Sequence, residues 1–170
     1  MSTAQGYTAA VRWYALALVI VIFDQLSKHL VQVNFELYER LPLMPMLDFT
    51  LVYNEGAAWS FLSDAGGWQR WLFTAISSVV SMVLVIWLAR VATQERLLCF
   101  SLAAILGGAI GNLIDRILLG KVVDFVLVYY RDWHFPAFNL ADSAITIGAI
   151  AMLLDIFIGG EESPQQPLET

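Results

Sequence analysis

Two aspartates stand where a carboxyl group can take part in proton transfer. Asp124 interrupts the apolar run Val122–Val128, and burial among such neighbours favours the neutral form of the acid. Asp142 opens an apolar stretch after the break at Pro136, and Asn139 is a good N-cap for a helix there. The positive end of that helix would stabilise a negative charge. Brought together, one carboxyl can deprotonate a water while the other protonates or polarises a substrate carbonyl.

Spacing alone does not show that the two carboxyls meet. Read separately, Asp142 is equally well explained as part of a helix cap, and Asp124 as an interfacial acid.

Other residues that could take part in catalysis are few. His29 and His134 are isolated, the lone Cys99 lies in an apolar run, and no metal-ligand spacing or Gly-x-Ser-x-Gly motif occurs. The sequence therefore favours carboxylate chemistry and predicts neither a metal nor a cofactor.

Polar residues also follow a pair of glycines in the stretch Gly107–Arg116. Gly107 and Gly111 are four residues apart, a spacing that permits close packing of helices. Asn112 and Arg116 share a helix face by the same spacing, so Arg116 is a candidate to bind a backbone carbonyl or a lipid headgroup, or to brace the segment around Asp124. The alternative interpretation of the pair Asp115-Arg116 is a simple ion pair at an interface.

A second charged pair lies earlier in the chain. Asp24 and Lys28 are spaced i, i+4, in the orientation that favours an ion pair on a helix. Cancellation of charge is the plain explanation of this pair. Its position inside an apolar stretch keeps it a candidate for the site, because charges there are costly.

The composition places these residues in a membrane protein. Of 170 residues, 59% are apolar and 14% charged, and the mean hydropathy is +0.68, whereas a soluble domain has about 45–50% apolar and about 25% charged residues. The net charge of −6 argues against a nucleic-acid partner. These values exclude an ordinary soluble enzyme, a disordered chain and a disulfide-stabilised secreted domain.

Four stretches have the length and composition of membrane-spanning helices, which need about 20 residues. They cover residues of about 13–31, 71–89, 97–114 and 140–158. We expect an all-α membrane protein with one membrane-embedded domain over residues 1–158 and a polar tail over 159–170.

Two segments between the spans have the β-branched and aromatic character of strands, Leu47–Tyr53 and Val122–Tyr130. Open sheet edges are not tolerated in lipid, so we expect these strands at or above the membrane surface. Antiparallel threading of four spans brings the polar candidates to the same end of the bundle. A site at that end is the economical explanation.

Five blocks of polar and glycine-containing sequence follow one another along the chain: Asp24–Lys28, Asn54–Trp59, Gly107–Arg116, Val122–Phe125 and Phe138–Asp142. In this order they resemble the motifs of the lipoprotein signal peptidase (signal peptidase II) family, bacterial intramembrane aspartic peptidases. The resemblance extends from about Trp13 to Phe157. Trp59 stands where the family commonly has Phe, which keeps an aromatic ring.

The resemblance implies an enzyme that removes the signal peptide of a prolipoprotein by cutting just before a diacylglyceryl-modified cysteine. Asp124 and Asp142 would be the catalytic pair. The positions implied to bind substrate or to brace the site are Asp24, Lys28, Asn54, Gly56, Asn112, Asp115, Arg116 and Asn139. The implied fold is four transmembrane helices with a small extracytoplasmic β-sheet over about residues 32–70. We expect a monomer in the bacterial inner membrane, with prolipoprotein substrates and membrane lipid as partners.

The family topology places both termini in the cytoplasm, and the count of basic residues opposes it. Three basic residues would lie inside (Arg12, Arg90 and Arg96), and six would lie outside: Lys28, Arg40, Arg70, Arg116, Lys121 and Arg131. Membrane proteins usually have the excess of basic residues on the cytoplasmic side.

Two other functions are considered. A small proton-coupled transporter or channel would use Asp24, Asp124 and Asp142 as a relay, and a non-catalytic assembly subunit would use the Gly107/Gly111 face.

Overall fold

The computed structural model describes residues 3–56, 67–93 and 96–159. Its helices are α1 (Thr3–Asn34), α2 (Trp68–Val91), α3 (Arg96–Leu118) and α4 (Leu140–Gly159). Its strands are β1 (Arg40–Met44), β2 (Leu47–Asn54), β3 (Val122–Tyr130) and β4 (Trp133–His134). Within the described ranges, four helical segments are long and apolar enough to cross a membrane: Ala9–Asn34, Trp68–Val91, Arg96–Leu118 and Leu140–Ile158. The predicted architecture of four membrane helices and a small sheet is confirmed.

Helix α3 is the centre of the bundle. In its most apolar window 61% of the residues are buried, against 17% in each of the other three helices. Small residues allow this packing, because a Cβ added to Gly107 would lie 2.8 Å from Ile20 Cβ of α1, and one added to Gly111 would lie 2.5 Å from Asp24 Oδ2. The predicted role of these glycines in close helix packing is confirmed.

The four strands form one antiparallel sheet in the order β1-β2-β3-β4. Both predicted strands are present, Leu47–Tyr53 within β2 and Val122–Tyr130 as β3. The register of β2 and β3 sets Val52 opposite Asp124 and Asn54 opposite Val122. The sheet therefore brings the end of β2 beside the predicted catalytic strand.

The described part of the segment between the first two spans contributes half of the sheet. Of residues 32–70, the first three belong to α1 and the last three to α2, and among the residues that the structure describes between them the strands lie within 40–54. The other half of the sheet, β3 and β4, comes from beyond α3. The sheet is thus assembled from both sides of the α2–α3 hairpin.

Two apolar clusters hold the bundle and the sheet together. In the bundle, Leu84 and Leu88 of α2 pack with Leu102 and Leu106 of α3. Cys99 is buried there, as predicted, and its Sγ lies 3.2 Å from the Val91 carbonyl oxygen. At the other end, a second cluster joins α1 to the sheet through the side chains of Val31, Leu51, Val123 and Phe125.

Candidate active site

Asp124 is a buried acid on β3 whose oxygens are both hydrogen-bonded. It is 2% exposed. Asn139 Nδ2 donates to its Oδ1 at 2.7 Å, and Asn54 Nδ2 donates to its Oδ2 at 3.1 Å. Burial first, and then the neighbouring Asp142 carboxyl, raise the pKa of Asp124 to about 7. The predicted shift of this acid toward its neutral form is confirmed.

Asp142 lies in the first turn of α4, where it completes a reciprocal cap with Asn139. The Asp142 backbone N–H donates to Asn139 Oδ1 at 2.9 Å, and the Asn139 N–H donates to Asp142 Oδ2 at 3.2 Å. The capping interpretation is therefore correct. The other carboxylate oxygen, Oδ1, accepts from Asn112 Nδ2 at 2.8 Å, so capping accounts for only part of what surrounds Asp142.

Two asparagines link the two acids. Asn139 Nδ2, which donates to Asp124, also lies 3.1 Å from Asn112 Oδ1, and Asn112 in turn donates to Asp142. This chain of amides runs from β3 through the start of α4 to α3. It links the two carboxyls, and both line the same cavity.

A buried group of charges lies behind the acids. Lys28 Nζ is 2.8 Å from Asp24 Oδ2, 3.0 Å from Asp115 Oδ2 and 2.9 Å from Asn112 Oδ1. The predicted Asp24–Lys28 pair is present, but Lys28 is 2% exposed and Asp24 0%. The pair therefore belongs to the interior rather than to an exposed surface, and a buried pair that lost one partner would leave an uncompensated charge.

The same acids hold the elements that carry the candidate catalytic pair. Asp24 Oδ1 accepts the Ala141 N–H at 2.9 Å, next to Asp142, and Asp115 Oδ2 accepts the Val123 N–H at 3.0 Å, next to Asp124. Asp115 forms its ion pair with Lys28, so its interpretation as the partner of the adjacent arginine is wrong. Neighbours in sequence on a helix diverge by about 100°, and these two side chains face different partners.

Arg116 faces the cavity rather than the buried charges. Its Nη1 lies 3.4 Å from the Asn112 carbonyl oxygen, one of the contact types predicted for it, and its guanidinium stands 5.8 Å from the centre of the Phe73 ring. Its positive charge interacts with Asp142 and Asp124. It is therefore a cation in the wall of the cavity that also holds both acids.

One cavity collects most of the predicted residues. Its volume is about 540 Å³. The predicted residues in its wall are Asn54, Gly56, Asn112, Arg116, Asp124 and Asp142. The remaining predicted residues, Asp24, Lys28, Asp115 and Asn139, are buried and touch the wall residues or the backbone beside them.

The apolar residues of this wall were not predicted from the sequence. Phe135, Pro136 and Phe138 line it before α4, and Ile145 and Ile147 line it along α4. Only the helical repeat after Asp142, which places position 145 near the same face, could have indicated part of this set. Gln25 was also overlooked as a bracing residue, although its Nε2 donates to Asp115 Oδ1 at 2.9 Å and to the Gly111 carbonyl at 3.1 Å.

The second sequence block is described only in part. The Gly56 N–H donates to Asn54 Oδ1 at 3.0 Å, which turns the Asn54 Nδ2 group toward Asp124. Residues 57–59 of this block, including Trp59, lie outside the described residues. Among residues 3–56, 67–93 and 96–159, no group of three His, Cys, Asp or Glu side chains is arranged to hold a metal ion.

A sequence model of one protein family, described as signal peptidase (SPase) II, matches residues 16–158. The chain belongs to the signal peptidase II family. As a member of this family it is a protease, and its four apolar helices make it a multi-pass membrane protein.

Similar proteins carry a consistent name. The chain is 53% identical to a "Lipoprotein signal peptidase" of Ectopseudomonas mendocina over 147 residues, covering 85% of this chain and 87% of the relative. It is 47% identical to one of Acinetobacter baumannii over 161 residues, covering 95% and 92%. A bacterial membrane enzyme solved by the in meso method at 2.3 Å resolution matches with a TM-score of 0.81 and 29% identity, over 93% of this chain and 94% of the other. The chain is therefore similar in sequence to lipoprotein signal peptidases, and similar in fold to a bacterial membrane enzyme, over most of its length.

Proposed function

We propose that the protein is an intramembrane aspartic endopeptidase that acts on diacylglyceryl-modified prolipoproteins. It would cut just before the lipid-bearing cysteine, with Asp124 and Asp142 activating the attacking water. One observation carries the proposal: Asp124, an acid with a pKa of about 7, shares a cavity with a second carboxyl. Two neighbouring carboxyls in unequal environments suit an acid and a base in a single reaction. The name of the relatives supports the substrate class.

The proposed reaction begins with a water between the two carboxyls. The oxygen of this water attacks the scissile carbonyl carbon while Asp142 takes a proton from the water. Protonated Asp124 donates its proton to the carbonyl oxygen of the substrate. The resulting gem-diol then collapses: the C–N bond breaks, Asp142 returns its proton to the leaving amine, and Asp124 recovers a proton from a hydroxyl. Both acids end in their starting states, with a new carboxyl on the signal peptide and a free amine on the cysteine.

The surrounding polar groups suit this division of roles. Asn54 and Asn139 hold Asp124 from both sides, and Asn112 with the Asn139 N–H holds Asp142. Because hydrogen bonds already fix these carboxyls in place, the surrounding groups need to move little when charge shifts from one carboxyl to the other. Arg116, in the cavity wall, would stabilise the negative charge that develops on the substrate carbonyl oxygen.

The apolar wall supports a substrate that arrives from the bilayer. Phe135, Phe138 and Ile145 line the cavity beside the acids. Farther along α4, Ile150 and Leu154 are 53% and 49% exposed, which is expected of a helix face in contact with lipid. A signal peptide and an attached diacylglyceryl group are apolar, so this side of the cavity would receive them with little loss of solvation.

The transporter interpretation has less support. A relay needs acids distributed along the depth of the membrane, whereas Asp24 is closed off in an ion pair with Lys28 and lies next to the start of α4. Asp24, Asp124 and Asp142 are gathered in one network at one end of the bundle.

We propose that the protein acts as a monomer and needs no metal, cofactor or nucleic-acid partner.

The catalytic pair is tested by removing one ionisable group at a time. Asp124→Asn and Asp142→Asn should each lower the rate of cleavage of a lipid-modified precursor by about 100- to 10,000-fold, because general acid–base catalysis is lost while the size of the side chain is kept. Purified proteins are compared by gel assay, with membrane insertion and monodispersity checked for each.

Asp155→Asn is the matched control, since Asp155 lies on the same helix as Asp142 but near its other end. It should cleave at the wild-type rate. Full activity in either Asp124→Asn or Asp142→Asn would refute the catalytic pair.

A further inference from the structure

Arg70 makes a two-pronged contact with the end of another helix. It lies in the first turn of α2, and its Nε donates to the Arg116 carbonyl oxygen at 3.2 Å while its Nη2 donates to that of Ile117 at 2.9 Å. These carbonyls belong to the last turn of α3, where a helix has no partners of its own for its C=O groups. A guanidinium suits the position because its planar fork can donate to two acceptors and its charge complements the helix C-terminus.

The guanidinium also packs against the turn that ends α3. Gly120 has a φ of +77°, and its N–H donates to the Arg116 carbonyl at 3.2 Å, the arrangement of a left-handed C-cap. A Cβ added to Gly120 would lie 3.0 Å from Arg70 Nη1. Arg70 therefore supports both the last carbonyls of α3 and the glycine that redirects the chain.

This turn leads directly into the strand of the candidate catalytic acid. Val122 begins β3 two residues after Gly120, and Asp124 follows. Asp115 fixes the same junction from inside, through the Val123 N–H at 3.0 Å. The junction is thus held on one side by the buried charges of α1 and α3, and on the other by Arg70 of α2.

We propose that Arg70 is a positioning residue for the hydrolysis: by clamping the α3–β3 turn it sets the place of Asp124 opposite Asp142. This inference rests on the proposed function, because it assigns Arg70 an effect through the catalytic pair. Arg70 is absent from the cavity wall and has no direct part in proton transfer. Small displacements of a catalytic group are costly, since about 1 Å can reduce a rate by about 100-fold.

The test separates turnover from binding. Arg70→Ala should lower kcat by about 10- to 100-fold, with KM changed by less than about threefold because the cavity wall is left intact. Arg70→Lys keeps the positive charge but loses the planar guanidinium that donates to two carbonyls at once. Its kcat should therefore fall between those of Arg70→Ala and the wild type. Both are measured as purified proteins on a lipid-modified precursor, with the folded fraction and Tm determined on the same samples.

Arg90→Ala is the control, because Arg90 is an exposed arginine at the other end of the same helix. It should leave kcat unchanged. A wild-type kcat in Arg70→Ala, or a loss that follows only the folded fraction, would overturn the inference. If Arg70→Ala yields too little folded protein, a wild-type kcat in Arg70→Lys would overturn it.

Asp124→Asn in the same assay distinguishes the two proposals. If Asp124→Asn is active, the catalytic pair itself is refuted. If Asp124→Asn is inactive and Arg70→Ala turns over normally, the catalytic pair stands and the role of Arg70 alone is rejected.

Discussion

Asp124 and Asp142 carry the same functional group in two different settings. Asp124 sits on a strand, 2% exposed, and its hydrogen bonds come from two side-chain amides. Asp142 sits in the first turn of a helix, where one of its oxygens accepts a backbone N–H. Burial acts against the charged form of Asp124. In the proposed reaction Asp124 supplies a proton to the substrate and Asp142 takes one from the water.

The pKa of Asp124 sets the expected pH dependence of cleavage. If Asp124 must be protonated to donate to the substrate carbonyl, the active fraction is high below its pKa of about 7 and decreases as the pH rises through that value. The rate should then fall about tenfold for each further pH unit. The measurement is kcat/KM for a lipid-modified precursor between pH 5 and 9.

The charged groups that act on Asp124 are Asp142, which favours its protonated form, and Lys28 and Arg116, which oppose it. Asp155→Asn should give the wild-type profile, since this acid lies near the far end of α4. A rate that stays constant or increases from pH 7 to 9 would contradict protonated Asp124 as the acid.

At the scale of elements, the sequence predicts what depends on local pattern. Leu47–Tyr53 and Val122–Tyr130 are rich in β-branched and aromatic residues, and both are strands. Asn139 stands just before an apolar run and caps α4. Strand β1 was not predicted, because Pro42 interrupts it and all of its residues are exposed, so no buried face appears in the pattern.

Contacts that depend on helix packing could not be predicted in this way. Asp24 and Ala141 are 117 residues apart, and their hydrogen bond exists only because Gly111 lets α1 approach α3 and α4 closely. Arg70 lies 46 residues before Arg116, and nothing in its own neighbourhood indicates a helix end as its partner. The residue types pointed to buried polar groups, but the relative position of the helices decides which ones meet.

At the scale of the molecule, most of the basic residues that gather at the end with the site make contacts within the protein. Of the six at the end that holds the site, Lys28 is buried in ion pairs, Arg70 binds helix carbonyls, and Lys121 lies 3.7 Å from the centre of the Tyr53 ring. Arg116 lines the cavity. Basic residues committed to such contacts are poor guides to topology, which lessens the conflict with the positive-inside rule.

We therefore predict that both termini lie in the cytoplasm and that the site faces outward. A reporter that works only outside the cytoplasm, fused after Thr170, should be inactive, and a reporter that needs the cytoplasm should be active at the same position. Both are measured in bacterial cells at matched expression. The reverse pattern would contradict the proposed orientation.

We propose that this site cuts a lipid-modified precursor immediately before its modified cysteine. The most direct measurement is the mass of both products after the purified protein acts on one precursor, prepared with and without the diacylglyceryl group. We predict a single cut of the modified form, giving a protein whose first residue is the lipid-bearing cysteine, and no detectable cut of the unmodified form. Cleavage at another bond, or equal cleavage of the two forms, would contradict this proposed specificity.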